Sequence, residues 1–302
     1  MSRNFRIFLI SFAISFFFWG GVNVFTQFFE DFITSEVYLV SPQPFLAQVN
    51  PQVLQNLRKE APEIKAESAI IVKINKLANE KVIFEKNPDQ ILPIASLSKL
   101  MTALVSLEYY DSSSMVSISK EAVEQPEDFG QLKVGERLSV ENLLYITLIE
   151  SSNDSAFALS ELMSKEAFVD LMNAEAKDLG LADTYFADPT GYQPENRSTT
   201  RDLAKLSQHL LNSRPEIWEI TVNPEFKLYD PDGIFHHQLL STNEMLDEFP
   251  QIIGGKTGFT TEAKGCFILI LKDKRNGNIF INVVLGSVDR FEDMRKLIEY
   301  AL

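Results

Sequence analysis

"PIASLSKLMTALV", residues 93–105, places Ser96 and Lys99 three positions apart at the head of an apolar run. If the run is a helix, the two side chains share a face and can meet. A serine hydroxyl becomes a nucleophile when a base lies within hydrogen-bond reach. Lysine is a poor base at its free value. Lowering it by about three pH units costs about 4 kcal/mol, a shift that burial and a second nearby cation can supply. The positive end of a helix dipole would also favour a developing alkoxide. The plainer reading is an amphipathic helix with a polar cap and one solvated charge. A second match, "SISK" at Ser117–Lys120, means that the triplet alone does not decide.

The rest of the composition narrows the choice. A chain of 302 residues, 45% hydrophobic, can bury a proper core in one large domain or two modest ones. A formal charge of −14 argues against nucleic acid and against an anionic membrane surface as partners. One cysteine, Cys266, excludes an internal disulfide and a Cys-rich zinc site. The three histidines, His209, His236 and His237, do not form the HExxH pattern of a zinc hydrolase. There is no GxSxG nucleophile elbow. A hydrolase built from this chain would use a base other than histidine, and no metal or cofactor is expected.

From Ile7 to Phe29 there is no charged residue, with Arg3 and Arg6 before the run and Glu30 and Asp31 after it. At about 1.5 Å per residue such a helix spans a bilayer core. The positive-inside rule leaves the N-terminus cytoplasmic and the rest of the chain outside. A cleaved signal peptide is the rival, but no convincing small-x-small site follows the run. The expected organisation is therefore a cytoplasmic tip and anchor over 1–31, a Pro-containing linker over 32–65, and a catalytic domain over 66–302. A short helix is possible at "PQVLQNLRKEA" within the linker.

In the domain, "AESAIIVKIN" and "KVIFEKN" read as a hairpin, and "VSISK" as a short strand. "LSVENLLYITLIESSNDSAFALSELMS" reads as two helices broken at "ESSND". "KEAFVDLMNAEAKDLG" is an amphipathic helix stopped by Gly180, and "STTRDLAKLSQHLLNS" is another with Ser or Thr at its start. "GCFILILKD" and "NIFINVVLGS", joined through "KRNG", read as a second hairpin, and "RFEDMRKLIEYAL" as the last helix. Strands at both ends with helices between imply an α/β (α+β) fold. One mainly antiparallel sheet is built from the two ends, with a helix packed on it and a helical subdomain inserted.

Two further stretches carry chemistry. "GGKTGFT", residues 254–260, precedes an apolar strand; it is either a Gly-rich turn or a strand edge presenting Lys256 and Thr257 to a cleft. Such an edge can pair with an extended peptide. Ser-x-Asn occurs at Ser2–Asn4, Ser151–Asn153 and Ser241–Asn243. The first lies in the cytoplasmic tip, and the third is too close to Lys256 for an independent loop. The second sits at the helix break, where a turn can aim both side chains at one cleft.

Ser-x-x-Lys, Ser-x-Asn and Lys-Thr-Gly in this order, the second and third 55 and 160 residues after Ser96, resemble the motifs of the penicillin-recognising serine enzymes. The texts "PIASLSKLMTALV", "LIESSNDSAFALSE", "ADPTGYQPENRSTTRDLAKL", "STNEML" and "IIGGKTGFTTEAKGCF" are similar to the low-molecular-mass penicillin-binding proteins, the D-alanyl-D-alanine carboxypeptidases. The likeness runs from about residue 66 to the end. It implies a β-lactamase/D,D-peptidase-like fold with Ser96 as nucleophile, Lys99 as proton acceptor and Ser151 as proton relay. It also implies that Asn153 binds the substrate amide, that Lys256 contacts the substrate, and that Thr257 and Thr260 grip its carboxylate. The oxyanion hole would use the backbone N–H of Ser96 and of Phe259. The implied partners are a peptidoglycan stem peptide ending in D-Ala-D-Ala and β-lactam antibiotics as covalent inhibitors; the charge-free run over 7–29 adds the cell membrane, through a single N-terminal span.

The chain departs from the pattern in three places. Ser152 stands where the family more often has glycine, and should add a side chain to the cleft. Many relatives carry a second, β-rich domain and a C-terminal amphipathic anchor, whereas this sequence stops at "IEYAL", so its membrane attachment is expected to be N-terminal. Arg290, in "GSVDRFEDMR", could read the substrate carboxylate, but on a short loop. A D,D-endopeptidase would use the same site. A β-lactamase would need a glutamate with an asparagine four residues later, whereas Glu195 is followed by Thr199. A noncatalytic wall-binding protein would have lost a motif residue, and none is lost.

Overall fold

The structure, a computed structural model, describes residues 60–127 and 130–302. The expected anchor and most of the expected linker lie outside those residues. Among the described residues no helix is long and apolar enough to cross a membrane. Ala61–Leu302 form one compact unit.

The chain opens with β1 (Ser68–Ile74) and β2 (Glu80–Lys86), then β3 (Leu92–Pro93), a 3₁₀ turn over Ala95–Ser98 and α1 (Lys99–Tyr109). A largely helical stretch follows: β4 (Met115–Ser117), α2 (Lys120–Val123), β5 (Arg137–Ser139), α3 (Val140–Ile149), α4 (Asn153–Ser160) and α5 (Lys165–Asp178). Next come β6 (Arg197–Ser198), α6 (Thr200–Ser213), α7 (Pro215–Thr221) and the hairpin β7 (Glu225–Tyr229) and β8 (Phe235–Leu240). The chain ends with β9 (Ile252–Thr260), β10 (Lys264–Lys272), β11 (Ile279–Ser287) and α8 (Arg290–Ala301).

Five strands form one antiparallel sheet in the order β2-β1-β11-β10-β9. The sheet thus joins the two ends of the domain, as expected from strands at both ends. Its central strands are apolar at almost every position because both faces are covered. Ile70, Ile268, Ile270, Ile281 and Val283 turn to one face, where Leu100 and Leu104 of α1 and Leu203 and Leu206 of α6 belong to the same core. Ile71, Phe267, Leu269, Leu271 and Val284 turn to the other, with Met294, Leu297 and Ile298 of α8. The alternation is the period-2 pleat expressed as two cores.

Both expected hairpins form, as do the two helices separated at "ESSND". The Ser139 side chain caps α3, in a box completed by Asn142. Thr199 caps α6, and Gly180 follows α5 at φ +67°. One expectation is corrected: the helix predicted to be headed by Ser96 begins as a 3₁₀ turn, with α-helix only from Lys99. Of the two readings of "GGKTGFT", the strand edge holds: the stretch lies within β9, an edge strand of the main sheet. The short α7 and the β7–β8 hairpin have no clear period in the sequence; α7 packs against α3 and β9, and the hairpin against α3.

Candidate active site

Ser96 sits on the 3₁₀ turn between the sheet and α1. In such a turn residues i and i+3 eclipse, which brings Lys99 Nζ to 2.9 Å from Ser96 Oγ. The turn is entered through Ala95 at φ +48°, a left-handed conformation that costs a non-glycine residue energy. Two glycines hold the strained turn in place. A Cβ on Gly191, itself at φ +83°, would lie 2.0 Å from the Ala95 carbonyl oxygen. One on Gly258 would lie 3.0 Å from Ser96 N.

Lys99 is fully buried. Besides Ser96 it donates to Asn153 Oδ1 at 2.6 Å and to the Thr190 carbonyl at 2.7 Å. That carbonyl belongs to a loop organised by one buried carboxylate. Asp188 accepts from Thr190 N and Oγ1, Gly191 N, Gln193 N and Asn196 Nδ2. Asn153 in turn donates to the Pro126 carbonyl at 2.7 Å.

A second lysine–serine pair faces the first. α3 ends at Ile149, and the chain turns through Glu150 to Ser151 at φ +66°. Lys256 Nζ, from β9, donates to Ser151 Oγ at 2.7 Å and to the Thr257 carbonyl at 2.9 Å. Ser152 does not enter the cleft as expected: it is fully buried, and its hydroxyl accepts from Ser155 N as the cap of α4. A helix restarting at Asn153 needs that cap, so the side chain is turned inward.

Ser96 and Ser151 open on a cavity of about 300 Å³. Thr257, Gly258 and Phe259 of β9 form one wall, and Thr242, Glu127, Glu150 and Arg290 complete the lining. Thr242 Oγ1 lies 2.6 Å from Thr257 Oγ1. The Ser241–Asn243 triplet, set aside in the sequence as too close to Lys256, thus contributes its middle residue to the wall for that very reason. Arg290 reaches the cavity despite its short loop, stacking over Phe291 at 4.8 Å and over Phe259 at 6.0 Å. Thr260 opens instead on a neighbouring cavity with Tyr192 and Glu262, and its hydroxyl accepts from Ala263 N. Glu195 is exposed and lines neither cavity. In the competing "SISK", Lys120 is exposed and paired with Glu124 at 3.3 Å. Glu127, Glu150, Asp188 and Thr242 were not singled out in the sequence, because no short spacing marks them.

The electrostatics follow from burial. Loss of hydration pushes Lys99 down to about 7, against the pull of the Asp188, Glu127 and Asp154 carboxylates. Burial also lowers Lys256 well below the usual lysine range, reinforced by Lys99 and Arg290. No group of three or more His, Cys, Asp or Glu placed to hold a metal occurs among the described residues.

A serine set on a strained turn against a buried lysine, a second lysine–serine pair and a bare sheet edge along the cleft define a serine peptidase of the penicillin-binding, β-lactamase-like class. The chain belongs to the D-alanyl-D-alanine carboxypeptidase family, whose profile matches residues 55–289. It is 32% identical over 244 residues to a D-alanyl-D-alanine endopeptidase of Pseudomonas aeruginosa, covering 78% of this chain and 76% of that protein. It is 31% identical to the D-alanyl-D-alanine carboxypeptidase DacF of Bacillus subtilis, covering 78% of this chain and 62% of that one. Among solved structures, a penicillin-binding protein of Listeria monocytogenes in its cefotaxime-bound form superposes with a TM-score of 0.69 at 30% identity. That match covers 80% of this chain and 99% of the other.

Proposed function

We propose that this protein is a D-alanyl-D-alanine carboxypeptidase that removes the terminal D-alanine of peptidoglycan stem peptides through an acyl-enzyme on Ser96. The observation that carries the reading is the buried Lys99 Nζ, 2.9 Å from Ser96 Oγ and lowered to about 7. A large share of Lys99 is then neutral at neutral pH and can take the hydroxyl proton as Oγ attacks the amide carbon. The N–H groups of Ser96 and Phe259 receive the oxyanion. As the C–N bond breaks, Ser151, paired with Lys256, relays a proton to the leaving amine. Water then hydrolyses the ester.

The substrate backbone pairs with the edge of β9. Arg290 and Thr257, with Thr242 behind it, grip the terminal carboxylate; Thr260 belongs to the adjoining cavity. Asn153 holds Lys99 against the nucleophile, and the family resemblance also assigns it the substrate amide. β-Lactams enter by the same attack and remain as a penicilloyl ester. The apolar run over 7–29 anchors the protein, with the domain on the extracytoplasmic side.

An endopeptidase is the second reading, favoured by the similarity to the Pseudomonas aeruginosa enzyme, of which the chain spans 76%. One assay separates the two. Release of free D-alanine from a peptide ending in D-Ala-D-Ala, abolished by Ser96→Ala, supports the carboxypeptidase. Cleavage of crosslinked dimers without D-alanine release transfers the assignment to the endopeptidase.

A further inference from the structure

The reaction just described makes no use of His236 and His237. Together with Glu136 and Glu150 they form a row of largely buried titratable side chains leading away from the cavity wall. The pairing of β7 with β8 explains how two successive residues share one side. Leu228 pairs with His237 and Tyr229 with Phe235, so His236 is the extra residue of a bulge. A regular strand would send the two rings to opposite faces, and a bulge re-aims one of them.

The rings lie 4.7 Å apart, with their Nδ1 atoms facing each other within hydrogen-bond reach. The other nitrogens meet carboxylates. His237 Nε2 lies 3.0 Å from Glu150 Oε2. His236 Nε2 lies 2.9 Å from Glu136 Oε1, off the hydrogen-bond axis. Other charged side chains on the elements packed here, Glu225 and Lys227 on β7, Arg137 on β5 and Glu141 on α3, are exposed.

A proton count follows. The row has three contacts, and ionised carboxylates only accept. Two neutral imidazoles bring two N–H groups, which leaves either facing Nδ1 lone pairs or a carboxylate against a lone pair. Three N–H groups leave no lone pair against a carboxylate or against the other ring; at Glu136 the third makes a close charge contact rather than a hydrogen bond. Glu150 immediately precedes Ser151, and the hairpin's exit clamps the same helix end, Thr242 N donating to the Ile149 carbonyl at 3.2 Å.

We propose that His236 and His237 share one extra proton as a singly charged pair between Glu136 and Glu150, and that His237 is a positioning residue. By holding Glu150 it keeps Ser151 in the left-handed turn that meets Lys256. This inference rests on the reading of Ser151 given above.

The test uses the full-length chain in detergent with ¹⁵N-labelled histidine, of which the chain has three residues. The expected spectrum near neutral pH shows three N–H-bearing nitrogens for the pair, one of them a strongly downfield Nδ1 proton. Labelling of Ser96 by fluorescent penicillin should slow by about 10- to 100-fold in His237→Phe, as for a small misplacement at a reacting centre. His237→Gln, whose amide N–H can reach Glu150 at any pH, should recover most of the rate and lose the histidine-dependent part of the pH profile. Two independently titrating neutral rings, or a folded His237→Phe that labels at the wild-type rate, would overturn the proposal. If His237→Phe does not fold, His237→Gln and the wild-type spectrum decide. A wild-type chain that takes no penicillin counts against the proposed function, while the resonances still decide the proton count.

Discussion

Replacing Lys99 by methionine should change how stability depends on pH more than it changes stability at any one pH. Lys99 is fully buried and falls from 10.5 to about 7 on folding. At about 1.36 kcal/mol per pH unit, that drop corresponds to about 5 kcal/mol when both states would otherwise be protonated. The native state binds fewer protons than the unfolded state between about 7 and 10.5, so this lysine makes stability rise with pH across that window. Allowing for half-protonation, the penalty is about 4 kcal/mol at pH 7 and about 1 kcal/mol at pH 9.5. Methionine removes that penalty but leaves Asn153 Oδ1 and the Thr190 carbonyl without their donor. Each loss costs about 1–3 kcal/mol and is independent of pH. The variant should therefore come close to the wild type at pH 7 and fall behind it by about 3 kcal/mol more at pH 9.5. Urea unfolding of both full-length chains in one detergent, at the two pH values, measures the difference. Lys256 is common to both and largely cancels. Stability curves that run parallel to within about 1 kcal/mol would refute the burial argument for Lys99.

Three other outcomes are expected. Arg290→Gln should cost about 1.5–3 kcal/mol of substrate binding, or roughly 10- to 100-fold in kcat/KM, for peptides with a free C-terminal carboxylate. Peptides with an amidated terminus, compared in the same assay, should be nearly insensitive. Gly191→Ala forces a Cβ to 2.0 Å from the Ala95 carbonyl at φ +83°. It should destabilise the domain by at least about 2 kcal/mol and slow penicillin labelling, read by unfolding midpoint and label uptake. The benzylpenicillin ester on Ser96 should persist, because Glu195 is exposed and lines neither cavity and Glu150 is engaged by His237; rapid turnover of the drug would contradict this.

Burial also shapes the pH profile of acylation. With Lys256 in the ordinary lysine range, activity would rise as Lys99 becomes neutral and fall as Lys256 loses its proton. In the fold Lys256 is itself pushed well down, chiefly by burial and also by Lys99 and Arg290. The free protein should therefore show the rise through about 7, and any fall owed to Lys256 should come well below the ordinary lysine range.

What the sequence determined by itself is local. β-Branched and apolar runs marked the hairpins β1–β2 and β10–β11, caps and Gly180 marked the helices, and three short spacings marked Ser96, Lys99, Ser151, Asn153 and Lys256. Each signal lies within a few residues, where backbone geometry alone decides which side chains are neighbours. Tertiary structure decided the rest. It made "GGKTGFT" a sheet edge, turned Ser152 inward as a cap and brought Thr242, Glu127 and Arg290 to one cavity. It also joined β8 to the end of α3 through His237 and Glu150, 87 residues apart. Above all it lowered Lys99, because a lysine's proton affinity depends on the water it loses and the charges it faces, and both are set only when distant segments close around it.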